Sequence, residues 1–461
     1  MSRFLLVSLN IDAILQETTI RRRRQKLSAM TDGLGLGGAY SETLSRIKGQ
    51  GGEKSRLGMA ALMWISHAER PLKVDELCHA LGVELGSLDL DGDNVPSIAT
   101  LLTCCQGLVS VDVEASTIRL IHFTLQEYLR AHPGLFGRAH ATIAETCLIY
   151  LNFPQVKALS TSPSRDLRGT PFLEYSSLYW GMHAKRELSE SAKRLALKLF
   201  DDYSNHISIE ILFDHEKPSY FEPSLGELSL FSGLHCASFF GIVEIVTFLV
   251  EAEGCDINQT DCTGSTPLVW AASNGHEGVV KILLTRDGVN PGKVTSYNET
   301  PLWWAAYNEH EGIVKILLGR DDTDPDKPNA DGESPLWSAA HYGKERLVKI
   351  LLGRDDVNPD QPNYYGVTPL SIAAMSGHEG IVKILLGRDD VNPNSPDRDG
   401  KTALLRAAEN GKEGPVRLLL GRHDVNFAQR DKRGRSPLVC AILNQHEEVV
   451  EILLRSLGKP R

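Results

Sequence analysis

Long apolar runs are missing from this sequence. Nowhere does it offer the roughly 18 to 20 consecutive apolar residues that a helix needs to cross a bilayer, which excludes a helical membrane protein. A secretory leader is not expected either, because the apolar patch from Phe4 to Leu9 is short, Asp12 follows closely, and no small-residue cleavage site comes after it. The cysteines lack any paired spacing: Cys78, Cys104, Cys105, Cys147, Cys236, Cys255, Cys262 and Cys440 are scattered, unlike a zinc site or a secreted disulfide framework. Reduced thiols in an intracellular protein, cytoplasmic or nuclear, are therefore expected. Positive charge is in deficit, and a formal net charge of -10 repels a polyanion, which argues against nucleic acid as a partner. The exception is Arg21-Arg22-Arg23-Arg24-Gln25-Lys26, which reads as a solvated helix face, a nuclear import signal or a polyanion contact.

What the sequence has is enough apolar residues for more than one core. At 461 residues, with 42% hydrophobic and 23% charged content, it is expected to form two or three compact parts. One half is periodic. Thr266-Pro267-Leu268, Thr300-Pro301-Leu302, Ser334-Pro335-Leu336, Thr368-Pro369-Leu370, Thr402-Ala403-Leu404 and Ser436-Pro437-Leu438 set their leucines at one constant interval, and a further step back reaches Leu234. Each unit has a Thr or Ser suited to capping a helix, Pro in the first turn, and a small pair such as Ala305-Ala306 that lets helices approach. A break such as Gly377-His378 follows, then a second helix with apolar residues at helical spacing (Ile381, Val382, Ile384, Leu385, Leu386), then a turn such as Asp389-Asp390-Val391-Asn392-Pro393.

This grammar of Asp-x-x-Gly-x-Thr-Pro-Leu, Ala-Ala, Gly-His and Val-x-x-Leu-Leu resembles the ankyrin repeat over residues 227–461. The resemblance implies a mostly α fold: a solenoid of seven repeats of about 34 residues, preceded by a helical, winged-helix-like α+β region. Two departures stand out. The residue after Leu is His only at His235, being Val269, Trp303, Trp337, Ser371, Leu405 and Val439 elsewhere, which puts the hydrogen-bonding role of that His in doubt. Each unit is also one residue longer than the usual ankyrin repeat. The extra residue is placed in the Asp-Asp-Val-Asn-Pro turn, where it is expected to lengthen the loop without touching the stacked helices.

Ankyrin stacks bind partners through their turns and the exposed end of the first helix. Aromatic residues concentrate at those positions in the middle units: Tyr297, Tyr307, Tyr342, Tyr364 and Tyr365, with Trp303, Trp337 and His341 beside them. Tyr and Trp carry interface energy because they bury large area at low rotamer cost. The next two turns bring Arg398, Lys401, Arg433 and Arg435, so an aromatic centre with a basic flank is expected to take a protein partner. The competing reading makes the Trp residues core fillers and the Tyr residues ordinary turn residues; for Trp270 and Trp304, core packing is expected. The last unit keeps Val449, Val450, Ile452, Leu453 and Leu454 without a polar replacement face, so its end is expected to fray or to be covered.

In the other half, helical runs at Leu57 to Ala68, Val74 to Leu81 and Ile98 to Leu108 precede alternating stretches at Leu108 to Val113 and Thr117 to Phe123, the outline of a winged helix. The segments from Arg70 to Leu77, Ile121 to Leu129 and Pro171 to Tyr175 resemble the region that follows the NACHT nucleotide-binding module in fungal NLR-like ankyrin proteins. The stretch from Arg3-Phe4-Leu5-Leu6 to Ile47 resembles the tail of that module. The division expected is a remnant tail and linker at 1–57, a winged-helix-like domain at 58–135, a helical connector at 136–226 and ankyrin repeats at 227–461.

Sites for small molecules fail on their residues. Gly49-Gln50-Gly51-Gly52-Glu53-Lys54-Ser55 has Glu53 where a phosphate loop needs Gly before Lys, and its carboxylate repels phosphate. Gly33 to Gly38 has dinucleotide-type spacing with no strand before it, as in a flexible linker. The acidic turn Asp321, Asp322, Asp324, Asp326, Asp331 puts Lys327 and Ser338 at calcium-ligand positions of an EF-hand register. His276, His310, His378 and His446 recur at the helix break and read as structural. No catalytic residue, cofactor, metal or small-molecule substrate is expected. The function expected is a non-catalytic adaptor or regulator, with a split NTPase switch acting in trans and a transcriptional regulator as alternatives; the resemblance adds a fungal biosynthetic or defence pathway.

Overall fold

The computed structural model describes residues 18–25, 36–159, 169–216 and 230–457. The expectations for Phe4 to Leu9, Lys26, Gly33 to Gly35 and the start of the array at residue 227 lie outside them. The chain divides into two compact units, Met1–Leu228 and Ser229–Arg461.

In the first unit, α1 (Leu36–Gly49) and α2 (Gly52–His67) are joined by a turn in which Gly51 and Gly52 take positive φ. A helix, not a strand, thus precedes Glu53, whose carboxylate pairs with Arg56, so the backbone of a phosphate loop is not formed. Next come β1 (Leu72–Lys73), α3 (Val74–Gly82), α4 (Ile98–Cys104), β2 (Val109–Asp112) and β3 (Thr117–Leu120). The antiparallel sheet has the order β1-β3-β2, with Ile118 opposite both Leu72 and Val111. Leu62, Leu72, Leu77, Leu101, Leu108 and Ile118 form its core. This is the winged-helix arrangement, with two differences from the sequence reading. The first helix starts at Gly52, so a boundary at residue 57 falls inside it, and the supposed break at Arg70-Pro71-Leu72 leads into a strand, β1, beyond the two expected. The strand is only two residues long, too short for alternation to reveal it.

Helices α5 (Phe123–Ala131), α6 (Ala139–Leu151), α7 (Pro154–Ala158), α8 (Leu173–Arg186), α9 (Glu190–Phe200) and α10 (Ile207–Glu216) complete the unit. Helix α6 is apolar nearly all round and packs along α8 at the unit's centre, where Trp180, Tyr150, Tyr175 and Phe172 are buried.

The second unit is a stack of seven helix pairs, from Gly233–Phe240 with Val243–Glu251 (repeat 1) to Pro437–Leu443 with Glu447–Leu457 (repeat 7). The capping grammar is realised atom by atom: Thr266, Thr300, Ser334, Thr368, Thr402 and Ser436 each accept a hydrogen bond from the backbone N–H three residues on. The helix-break histidines also do structural work. Nε2 of His276, His310, His378 and His446 lies 2.7, 2.9, 2.9 and 3.0 Å from the carbonyls of Phe239, Ser273, His341 and Glu409, each in the preceding repeat. In repeat 7 the last helix runs to Leu457, and Val439, Ile442, Leu443 and Leu454 are exposed.

The lengthened loop does touch the helices, contrary to expectation. Arg320, Arg354, Arg388 and Arg422 each grip the Asp two residues on along one edge of the guanidinium, through Nε and Nη2. The remaining nitrogen of each then reaches back to Leu284, Leu318, Leu352 and Leu386 at 3.2, 3.0, 3.3 and 3.1 Å. Those carbonyls end the second helix of the preceding repeat, where a cation satisfies otherwise orphaned acceptors.

A second ladder runs through the same loops. Oδ1 of Asn258 and Asn394 accepts from the backbone of Asn290 and Asn426, and their Nδ2 donates to the carbonyls of Gly288 and Asp424. At the equivalent positions Asp326 and Asp360 accept from Asn358 and Asn392, but each has one buried oxygen with no hydrogen-bond partner among the described residues. Burial lifts the Asp326 carboxyl to about 6. Asp326→Asn supplies the missing donor and is expected to stabilise the array by about 1 kcal/mol at neutral pH, read by urea unfolding. Because the folded value lies above the unfolded one, the parent takes up a proton on folding between pH 6 and about 4 and gains stability as pH falls through that window. The advantage of the Asn variant shrinks accordingly.

Candidate protein-binding surface

The turns between repeats are built by one recurring side chain. Oδ1 of Asp261, Asn329, Asn363, Asp397 and Asp431 accepts from the backbone two and four residues on, and Thr295 does the same through its hydroxyl. Adjacent turns are then joined through the main chain. Ser296, Ala330, Tyr364, Arg398 and Lys432 donate to the carbonyls of Thr263, Tyr297, Asp331, Tyr365 and Asp399 at 2.8, 2.7, 3.1, 2.9 and 2.8 Å. With the main chain so occupied, the side chains are the accessible chemistry of the turns.

Tyr297, Tyr307, Tyr342, Tyr364 and Tyr365 are all exposed, Tyr365 most at 63%. Trp303 and Trp337 are buried, Trp337 at 5%, and the surface role expected of them is corrected by what they bond. Their indole N–H groups donate to the carbonyls of Glu333 (3.2 Å) and Val367 (2.8 Å), in the turn that opens the next repeat. They occupy the position held by His235, whose Nε2 lies 3.0 Å from the Gln259 carbonyl. The role in doubt is thus kept in repeats 3 and 4 by a different ring. Trp270 and Trp304, expected in the core, are only half-buried.

The rings form one row across repeats 3 and 4. Trp303 stacks on Tyr307 at 5.1 Å, Tyr307 meets Tyr342 edge-on at 5.3 Å, Tyr342 lies 4.7 Å from His341, and His341 lies 5.2 Å from Trp337. The buried indoles therefore hold the exposed phenols in place. Beside the row, Trp337, His341, Tyr365, Ile372, Met375 and Arg398 line part of an open cavity of 350 Å³. His341 lines this cavity, and its Nδ1 has no hydrogen-bond partner among the described residues.

The basic flank is smaller than the sequence suggests. Lys401 is engaged by Glu409, and Arg435 by Asp431 at 2.8 Å and Glu409 at 3.6 Å. Each charge is answered locally, by carboxylates that a tally of basic residues does not bring into view. Arg398 and Arg433 remain exposed and belong to no ion pair among the described residues.

Residues 234–329, 321–397 and 386–460 match the family model for ankyrin repeats, and residues 46–139 match that of the GPI inositol-deacylase, winged helix domain. Three solved structures are similar to part of the chain. They are the ankyrin repeat domain of Bcl-3, described as a unique member of the IkappaB protein family (24% identity, 48% of this chain and 97% of that one, TM-score 0.44), the human ASB11 ankyrin repeat domain (25%, 50% and 100%, 0.41), and EF0377, an ankyrin repeat protein (26%, 41% and 96%, 0.39). No curated protein matches the chain.

Trp337→Phe removes the donor to Val367 while keeping an aromatic ring. It is expected to destabilise the array by about 1 to 3 kcal/mol, through an unpaired buried carbonyl and lost packing, measured as a lower urea midpoint.

Proposed function

We propose that this chain, an ankyrin-repeat protein with a winged-helix domain ahead of its array, is a non-catalytic adaptor or regulator that holds a protein partner on the tyrosine face of repeats 3 to 5. The observation that carries this reading is the row of phenols standing exposed on buried indoles, next to an open cavity lined by His341, Tyr365 and Arg398. Such anchors are rigid before binding, so little rotamer entropy is lost when a partner covers them. An intracellular location fits eight cysteines of which none is in a disulfide among the described residues. No described helix is long and apolar enough to cross a membrane.

A second reading makes the chain the sensor half of a switch whose NTPase module is supplied in trans. It is favoured by the winged-helix match at residues 46–139, together with a helix–turn–helix where Gly49 to Ser55 only imitates a phosphate loop. Direct DNA reading has less support. In the winged-helix order the recognition position falls to α4, and neither Ile98–Cys104 nor the wing at residues 113–116 contains Lys or Arg.

The test is affinity capture with the full chain beside a Tyr307→Ala/Tyr342→Ala/Tyr365→Ala variant shown to unfold at the same urea midpoint. A specific partner is expected to bind the variant at least about tenfold more weakly, a cost of about 1.4 kcal/mol or more. Equal affinity would place the binding face elsewhere.

A further inference from the structure

We infer that Glu69, His140 and His183 form a divalent-cation site of the zinc type in the first unit, apart from the repeat array. The three come from the loop after α2, the first turn of α6 and the last turn of α8. One ligand atom of each lies within 4.8 Å of the other two, and two imidazoles with one carboxylate is a ligand set that zinc takes while keeping a position open.

The hydrogen-bond arrangement supports this assignment. His183 is fully buried, and its Nε2 lies 2.9 Å from the Tyr175 hydroxyl, which also accepts the Glu69 backbone N–H at 3.1 Å. When Nε2–H donates to Tyr175, a lone pair remains on Nδ1, and this atom faces His140 Nδ1 at 2.8 Å; the Glu69 carboxylate lies 3.9 Å from the Nε2 side of the same ring and has to swing to share an ion with Nδ1. Two ring nitrogens face to face need either a shared proton or a cation between them. An outer partner that fixes the second ring nitrogen is what holds a metal-ligating histidine in its tautomer. Two nitrogens on tetrahedral zinc at about 2.0 to 2.1 Å stand roughly 3.3 Å apart, so the rings have to part by about half an ångström. Helix α6 begins at Ala139, which places His140 at an end where a small shift is cheap.

Glu69 is held in turn by Arg186, one of whose nitrogens lies 3.1 Å from Oε2. That guanidinium orients the carboxylate and opposes a cation, so micromolar rather than picomolar affinity is expected. Burial holds both imidazoles below the ordinary histidine value, with Arg186 adding to the effect. The His67 ring packs edge-on to His140 at 5.4 Å and shields one side.

The experiment titrates Co²⁺, whose visible absorption reports tetrahedral coordination, into the chelator-treated full chain, followed by Zn²⁺ in competition. One equivalent is expected to bind, with a rise in Tm on Zn²⁺ addition because the ion ties three elements together. His140→Gln and Glu69→Gln, each checked for native helix content, are expected to lose at least about tenfold in affinity. His132→Gln, at an exposed position, is expected to bind as the parent does. Absence of saturable binding by the folded parent overturns the inference, as does undiminished binding by folded His140→Gln, which would assign the metal to other histidines or to the exposed Cys255.

Discussion

Reach across the repeat boundary is the constraint on which the array depends. A helix pair of this length cannot bury its apolar face alone, and its carbonyls at helix ends and turns would stay unpaired at every junction. Each repeat answers its neighbour's carbonyls with donors of its own: the break histidines, the loop arginines, the loop asparagines and the turn amides. Trp303 and Trp337 do the same with indole N–H groups in the middle of the stack. The constant period is the sequence trace of this requirement, since a donor that must meet a carbonyl in the next unit has to recur in register.

That is why the fold was legible and the site was only partly so. Leucine spacing, caps and small pairs are local signals, and the caps they point to are the ones that open the first helices of repeats 2 to 7. The exposure of the tyrosines was legible because turn and helix-end positions follow from the period. The burial of Trp303 and Trp337 was not, because the sequence shows a residue type at the former His position and not the carbonyl waiting in the turn of the next repeat. The loop arginines were missed for the same reason: Arg next to Asp-Asp looks like solvated charge until the helix end of the preceding repeat comes into view. Lys401 and Arg435 looked free because Glu409 lies on a helix that only folding brings near. In the first unit, Glu69, His140 and His183 stand too far apart for any motif to join them.

These geometries bear on function through rigidity. Satisfied turns leave phenol rings as the accessible chemistry of repeats 3 to 5, and the indoles beneath them restrict how those rings move. Under the proposed reading a protein partner would meet a prepared surface, with His341 lining the cavity beside it. The acidic balance of the whole chain and the local pairing of the basic flank give a polyanion little to hold.

Hydrogen exchange at the turn amides tests the central claim most directly. Ser296, Ala330, Tyr364, Arg398 and Lys432 sit in turns where an isolated loop would exchange freely, yet each donates to the neighbouring turn. Protection of at least about 100-fold over an unstructured amide, similar at all five, is the result expected if the turns are joined as described. Exchange at the free rate would mean that the repeats are held together by their helices alone, and that the tyrosine face has no rigid base.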